Sequence, residues 1–447
     1  MRQLGLAHLV FPGAGYSRFA HSVGACHVVG MMIEALRRNT KEPIQDEQIQ
    51  LYRLAALLHD VGHYPFSHAL EEEIDNHYKG TSFLAGGAIR NKEDTAIDGE
   101  PPSYNHELLG KRIIENDSEI ATVLKAHNVN LEDLKAVFSK QDPLSMTALI
   151  SSDLDCDRLD YLRRTAYHAG TPYGDVDIGY IVSQTTLDKD RRVCFKNKAL
   201  KAADHLLVSR YYDYLQLPFH KTVVALEIAL KEVFRELLKL GYIDCSSDAI
   251  LKRIKESQWK DFDDQHVISL FRQAVTDPKV QQVNGLQKKI QSILLRTPPK
   301  LIVASERIDD TIRKKDHKGS VQQLNDKLDS WAKETGIDRT FWYVWQRSLQ
   351  LTKIGAKVPF SDAKDLGDEE RSQLVHILGH DTQNGGVTST PLIECQNTLI
   401  NSLSEKAYYG IRLYVLLEGS EPEKAAKKKE IQRIIYKELP DFPFVQL

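Results

Sequence analysis

Three imidazoles and two carboxylates fall within thirteen residues: His59, Asp60, His63, His68 and Glu71. They follow an apolar run in which Leu51, Leu54, Ala55, Leu57 and Leu58 recur at helical spacing, in the stretch LYRLAALLHDVGHYPFSHALE from Leu51 to Glu71. A buried helix ordinarily ends in a capping residue. This one ends in groups that can ligate a cation or carry a proton. Gly62 and Pro65 break it, and a second helix is expected from about Phe66, with His68 and Glu71 three apart on one face. A carboxylate one turn from an imidazole can fix its tautomer and raise its basicity, as acid–base chemistry requires. An exposed pair of little energetic weight would have the same spacing.

Other segments carry complementary groups. The loop FPGAGYSRFAHS, Phe11 to Ser22, runs into an apolar helix with Arg18 and His21 on one face near its start. Taken alone, these two equally describe a helix-start charge and a satisfied core histidine. His106 opens another apolar helix after a Gly-, Asp- and Pro-rich stretch, Lys79 to Tyr104, of a length usual for a lid or an insertion. From Asp142-Pro143 a long helix is expected through ALISSDLDCDRLDYLRRTAYHAG. On it Asp153, Asp157, Asp160, Arg164 and His168 form one polar ladder, with Arg158 and Tyr161 in the adjacent row. Stacked carboxylates repel one another unless a positive charge sits against them. Asp160 has Arg164 four residues on, whereas Asp157 is left wanting a cation. Lys221 stands in the first turn of a later helix, where it opposes the macrodipole unless an anion binds beside it.

These residues need a framework of helices, and the chain has one. The 447 residues, 42% hydrophobic and 27% charged, suit a globular fold of two or three units. No apolar run approaches the roughly 20 residues of a bilayer span, and no membrane partner is expected. The N-terminus is too weakly charged and too short in its apolar run for a signal peptide; it opens in an apolar segment as though a preceding portion were absent. Five scattered cysteines with no CxxC pair fit a reducing cytoplasm. A net charge of -3 gives no case for gripping a nucleic-acid backbone, though a local basic pocket could hold a small phosphorylated ligand. Further helices are expected over 199–217 and from Phe219 through Leu240, after a short polar segment near 188–198. Beyond Gly241, charged helices (249–275, 284–295, 320–335) alternate with strand-like runs at 300–304 and 409–417; 379–390 reads as a loop. The fold class is therefore mainly α: a helical domain over 1–245, then an α+β subdomain over 246–447.

His59-Asp60 alone is a weak dipeptide. The ordered series His21, His59-Asp60 and Asp157, each on an apolar helix, is far more specific. With it the sequence resembles the HD superfamily of metal-dependent phosphohydrolases, and within it the deoxynucleoside triphosphate triphosphohydrolase branch. The resemblance is carried by F-P-G-A-x-x-x-R-F-x-H-S-x-G at Phe11–Gly24, L-x-H-D-x-G-H-x-P-F-S-H at Leu57–His68, the pair His106-Glu107, and D-x-D-R-x-D-Y at Asp155–Tyr161. It covers about residues 11–161, and more loosely to about 240.

The resemblance implies an HD-domain helical core and His21, His59, Asp60 and Asp157 as ligands of a divalent metal, with Mg, Mn, Fe, Ni and Zn all compatible with mixed His/Asp ligation. It makes His63 and His106 contacts to the α-phosphate that organise the attacking water. His68 becomes the general acid for the leaving oxygen, with Glu71 behind it. Arg18 touches the α-phosphate, and Arg158, Tyr161, Arg210 and Lys221 hold the outer phosphates, in line with the preference of guanidinium for phosphate oxygens. Arg164, Thr165 and His168 fall on the substrate side of the same helix. The implied reaction is in-line attack on the α-phosphorus, with triphosphate released. A nucleotide substrate, an allosteric nucleotide and a homo-oligomer are the partners implied. Thr165 replaces an Asp that relatives set against the sugar 3′-hydroxyl, and Pro218-Phe219 replaces a Tyr-Gln pair framing the sugar. Two other functions therefore stay open at this point: hydrolysis of a monophosphate, cyclic or signalling nucleotide, and a nucleotide-sensing module without turnover.

Overall fold

The computed structural model describes residues 1–40, 43–79, 101–138, 146–310, 314–350, 374–379, 387–403 and 406–445. Four helices build the first core: α1 (Arg18–Thr40), α2 (Asp46–Leu58), α7 (Cys156–Ala169) and α9 (Leu200–Gln216). Between α2 and α7 lie α3 (His68–Tyr78), α4 (His106–Asn116), α5 (Ser118–Ala126) and α6 (Leu131–Phe138), and α8 (Ile178–Ser183) precedes α9. Met32, Ile33 and Leu36 of α1 and Tyr52 of α2 are fully buried with Leu159 and Leu162 of α7. Each such side chain contributes about 1.5–3 kcal/mol by leaving water. Among the described helices α1 alone is long and apolar enough to cross a membrane, contrary to the expectation that no run is; half of its most apolar window is buried within the fold.

A second core gathers around α10 (Lys221–Lys239): α3, α4, α11 (Ser247–Lys255), α12 (Asp264–Ala274), α13 (Pro278–Gln281) and α14 (Leu286–Leu294). Leu237 and Leu238 share one cluster with Ile250, Phe271 and Ile290, so the packing runs straight across the boundary expected at 245/246. The α+β part gathers further on, where β7 (Lys406–Val415) is the central strand between β3 (Lys300–Asp310) and β4 (Trp342–Gln350), all antiparallel. One face of this sheet packs on α15 (Lys314–Asn325), α16 (Leu328–Thr335) and α18 (Glu421–Glu438). The other face meets Val224 and Ala225 of α10 through Tyr343, Trp345 and Tyr414.

Several expected elements differ. The segment near 188–198 is a hairpin of β1 (Thr185–Leu187) and β2 (Val193–Lys196), because Val193, Cys194 and Phe195 are all buried. It is extended by β5 (His376–Leu378), parallel to β2, and β6 (Ser389–Pro391), which lies in the expected loop 379–390; residues 380–386 lie outside the described set. Next to them α17 (Leu399–Leu403) hangs its first N–H groups on the buried carboxylate of Asp204, at 3.0 and 2.9 Å. The helix expected over 249–275 is two, separated at Ser257, which has φ of 55°. That expected from Asp142 starts at Cys156: Asp155 caps it, accepting from Ser152 and Arg158 N–H at 2.9 and 2.8 Å. Asp153 thus precedes the helix and drops out of the ladder; 142–145, like most of the long segment 79–104, lie outside the described residues.

Close backbone packing holds α4 against the turn that carries the His-Asp pair. A Cβ on Gly62 would stand 2.1 Å from His106 O and 2.2 Å from Gly110 N, so α4 seats directly on the turn after α2. Gly62→Ala is expected to cost about 1–3 kcal/mol in urea melts and to displace α4. Gly319→Ala, on the open face of α15 with nothing within 4 Å of the added carbon, is expected to be neutral or to stabilise by up to about 1 kcal/mol.

Candidate metal centre and active-site cavity

His21, on the first turn of α1, has no exposed surface. Its Nδ1 donates to Asp160 Oδ2 at 2.8 Å. His59, just past the end of α2, donates from Nδ1 to its own helix at Ala56 O, 2.7 Å. Both rings are thereby held as the tautomer whose Nε2 carries a lone pair. Those two Nε2 atoms face carboxylates: His21 Nε2 lies 2.9 Å from Asp157 Oδ1, and His59 Nε2 lies 3.3 Å from Asp60 Oδ1 and 3.6 Å from Asp157 Oδ1. Each is buried without a hydrogen-bond partner among the described residues. Lone pairs and carboxylate oxygens converging on one point are satisfied by a cation.

The electrostatics show the same demand for positive charge, which protons on these rings can also meet. Burial disfavours the charged imidazole of His59, yet Asp60 and Asp157 outweigh it and push the ring up to about 10. His21 also rises, the pull of Asp157 and Asp160 exceeding the effect of burial. Asp60, nearly buried, and Asp157, partly exposed, are held far below the usual carboxylate range against the effect of desolvation, Asp157 by His21 and His59, Asp60 by His59, His63 and Arg18. Two imidazoles and two carboxylates from three segments form a donor set suited to a divalent first-row metal or Mg. His21, His59 and Asp157 offer ligand atoms within 4.8 Å of one another, and Asp60 adds a fourth.

A second group of donors, His63, His68, Glu71 and His106, is equally tight, but its carboxylate is already engaged. Glu71 takes His68 Nδ1 at 2.9 Å on one oxygen, and His106 Nδ1 and backbone N–H, both at 2.8 Å, on the other. The two imidazoles are oriented as a pair, each with Nε2 left to exchange a proton. His63 stacks on His106 at 4.5 Å and 10°, its Nε2 3.2 Å from Asp60. Between α2 and α3 the chain passes through Phe66 and Ser67 with φ of 54° and 61°. That strained turn, which also delays the expected helix start to His68, is tied down by Asp264, which accepts from Phe66 N–H at 2.9 Å. Arg18 spans the same region, donating to Asp60 at 2.6 Å and to Ser67 Oγ at 2.7 Å.

Most of these groups surround one cavity of about 990 Å3, with His21 and Glu71 packed behind its wall. Its lining includes His59, Asp60, His63, His68, His106 and Asp157 together with Arg18, Arg158, Tyr161 and Arg210. Arg158 and Arg210 are almost fully buried, and Arg158 Nη1 and Arg210 Nε and Nη1 make no hydrogen bond among the described residues. The structure does not bring every candidate there. Arg164 spends its guanidinium on Asp160, at 2.8 and 2.7 Å. Thr165 is buried against the Tyr16 hydroxyl at 2.7 Å, and His168 stacks on the Tyr16 ring. Lys221 is exposed at the start of α10, on the side of Lys300 and Lys428. Conversely, the sequence pattern does not single out Ser67, Asp264 or Asp213, and it gives Asp160 only the partner Arg164. The three-residue step from Asp157 to Asp160 is the one available signal that both face His21.

The family model for the HD domain matches residues 18–165. An uncharacterized Bacillus subtilis protein is 26% identical over 441 residues, covering 96% of this chain and 88% of that protein. The deoxynucleoside triphosphate triphosphohydrolase SAMHD1 homolog of Dictyostelium discoideum is 27% identical over 280 residues, 58% of this chain and 49% of that protein; the chain thus matches only about half of that relative's length. In fold, a phosphohydrolase from Bacteroides thetaiotaomicron superposes with a TM-score of 0.63 at 22% identity, covering 93% of this chain and 91% of that one. The matched segment, residues 18–165, is the one that carries His21, His59, Asp60 and Asp157, and it is this part of the chain that is similar to the HD domain.

Proposed function

We propose that the chain hydrolyses deoxynucleoside triphosphates at the α-phosphate, releasing nucleoside and triphosphate. One observation carries it: a single cavity is lined by His59, Asp60 and Asp157, with His21 packed behind them, and by the buried Arg158 and Arg210, each with guanidinium nitrogens that make no hydrogen bond among the described residues. Arg158 Nη1 lies 3.5 and 3.6 Å from Asp153 and Asp155, ion pairs that neutralise part of its charge but leave hydrogen-bonding capacity for anionic oxygens, and fork geometry suits phosphate. The likeness to the Dictyostelium protein supports the same substrate class.

His21, His59, Asp60 and Asp157 would hold a divalent metal, which would supply Lewis-acid polarisation and an activated water. Arg18, braced by Asp60 and Ser67, faces the α-phosphate. His63 is pushed down to about 4 by burial and by Arg18, so it is neutral near pH 7 and orients by hydrogen bonding. His106 is raised, Glu71 overcoming the effect of burial, and can carry a proton toward a phosphate oxygen. As the bond between the α-phosphorus and O5′ breaks, His68, aligned by Glu71, gives a proton to O5′. The triphosphate leaves against Arg158 and Arg210, with the Tyr161 hydroxyl beside them.

Purified protein with Mn2+ or Mg2+ should convert dNTP to nucleoside and triphosphate, read by chromatography; failure with all four dNTPs would sink the proposal. Mn2+ should raise the Tm of the wild-type chain, a hundredfold excess over Kd stabilising it by ~2.7 kcal/mol. His59→Ala and Asp157→Asn should abolish that rise and the bound metal found by elemental analysis.

The Glu71 bridge gives a pH prediction with a definite sign. The carboxylate raises the His106 pKa, so Glu71→Gln lowers it. The alkaline limb of the kcat profile should move to lower pH, with kcat down by about 10²-fold or more. An unmoved limb would remove His106 from the ionisation that governs turnover.

A further inference from the structure

Leu217 and Pro218, in the turn between α9 and α10, line the cavity, with Tyr214 before them and Val223 after. The turn carries no metal donor and none of the paired histidines. Within it, Phe219 N–H donates to Tyr214 O at 2.9 Å and His220 N–H to Leu217 O at 3.1 Å. Pro218 has no N–H to add. These bonds shape the turn without tying it to any other part of the fold. That tie comes from the C-terminal sheet.

Tyr408, Gly410, Arg412 and Tyr414 alternate along β7 and so share one face, the one Tyr414 turns to α10. Arg412 is 6% exposed. It donates from Nη1 to Phe219 O and from Nε to Glu306 on the neighbouring strand β3, at 2.8 Å, with Nη2 2.7 Å from the same carboxylate. Glu306 thus fixes the fork, and the remaining charged donor falls on a carbonyl of the turn. Tyr414 Oη donates to Lys221 O at 3.1 Å, so two β7 side chains hold the carbonyls on either side of His220. The Phe219 ring is enclosed as well, edge-on to Trp345 at 5.3 Å and stacked on Tyr408 at 6.0 Å, while the guanidinium lies 4.8 Å over Trp345. Gly410 permits this packing. A Cβ there would stand 2.7 Å from Tyr408 Oη and 3.0 Å from Trp345.

We propose that Arg412 is a positioning residue that fixes the turn between α9 and α10, and through it sets how tightly the cavity closes on substrate. The C-terminal sheet thereby belongs to the site, although none of its described residues lines the cavity. The effect on substrate rests on the cavity's being where the nucleotide binds.

Wild type, Arg412→Met and Arg412→Lys are compared as full chains with Mn2+. In Arg412→Met the KM for dGTP should rise about 10-fold with kcat within about twofold, the pattern of lost binding rather than lost chemistry. Arg412→Lys, which can reach Glu306 or Phe219 O but cannot fork between them, should fall in between. Hydrogen exchange without substrate reads the turn itself: amides of Phe219, His220 and Val224 should exchange about 10-fold faster in Arg412→Met, with those of α1 unchanged. A lower kcat at unchanged KM, as general destabilisation gives, would overturn the assignment. So would unaltered exchange at the turn, or equal acceleration in α1. If dGTP binds without turnover, Kd from calorimetry takes the place of KM. If the wild type does not bind dGTP at all, the triphosphate reading fails, and the exchange comparison alone decides whether Arg412 holds the cavity wall.

Discussion

Everything in the site depends on two carboxylates, Asp60 and Asp157, held ionised in a place where water is scarce. Both approach His59 Nε2, at 3.3 and 3.6 Å. At an effective dielectric of about 20, two like charges roughly 7 Å apart repel by about 2 kcal/mol. Asp60 is relieved in part by Arg18, which bonds its Oδ2. Asp157 has only imidazoles, and those imidazoles have spent their Nδ1 protons elsewhere. The fold has arranged its hydrogen bonds so that a positive charge is the one remaining way to satisfy the centre. Asp160 is the pivot of that arrangement, taking His21 on one side and both Arg164 bonds on the other.

Positioning such a centre demands stiffness from elements far from it in sequence. The turn at Phe66 and Ser67 is left-handed in two consecutive side-chain-bearing residues, a conformation that costs energy and persists only when surrounded. Asp264, the first residue of α12, holds it by the Phe66 N–H and also takes the Arg2 N–H at 2.7 Å. Next door, α3 is bound to α10 by a buried bidentate pair, Arg235 to Glu73 at 2.7 and 3.0 Å, and by Lys231 to Glu72 at 2.7 Å. Breaking either member of a buried pair leaves an uncompensated charge. Asp264, beyond residue 245, and α10, before it, together fix the segment that carries His68 and Glu71, and the second core accordingly runs across residue 245.

How much of this is legible in the sequence divides along physical lines. The helices α1, α2, α9 and α10 are readable because a one-sided apolar stripe is a local pattern. The candidate metal donors are readable because each sits at a helix end, where an apolar stripe meets His or Asp. Contacts that depend on two distant segments leave no local trace: Asp264 on Phe66, Tyr16 on Thr165, β5 beside β2. The polar ladder through Asp153 fails for a different reason. A periodic row of acids cannot reveal where the helix begins, and Asp155 caps it instead. Lys221 is assigned from a resemblance in motif order, but the sheet packed on α10 turns that end of the helix toward Lys300 and Lys428.

The stacked rings of His63 and His106 show how the same side chain is given two chemistries. They lie 4.5 Å apart and nearly parallel, yet are driven in opposite directions. Burial lowers both. His63 then meets the cationic Arg18, which lowers it further against Asp60. His106 meets Glu71, which accepts from its Nδ1 and raises it. Two identical side chains in one stack thus become an imidazole held neutral and one that takes up a proton more readily. The difference comes from which charge each faces, and it is what acid–base work at a phosphate requires of a site operating near neutral pH.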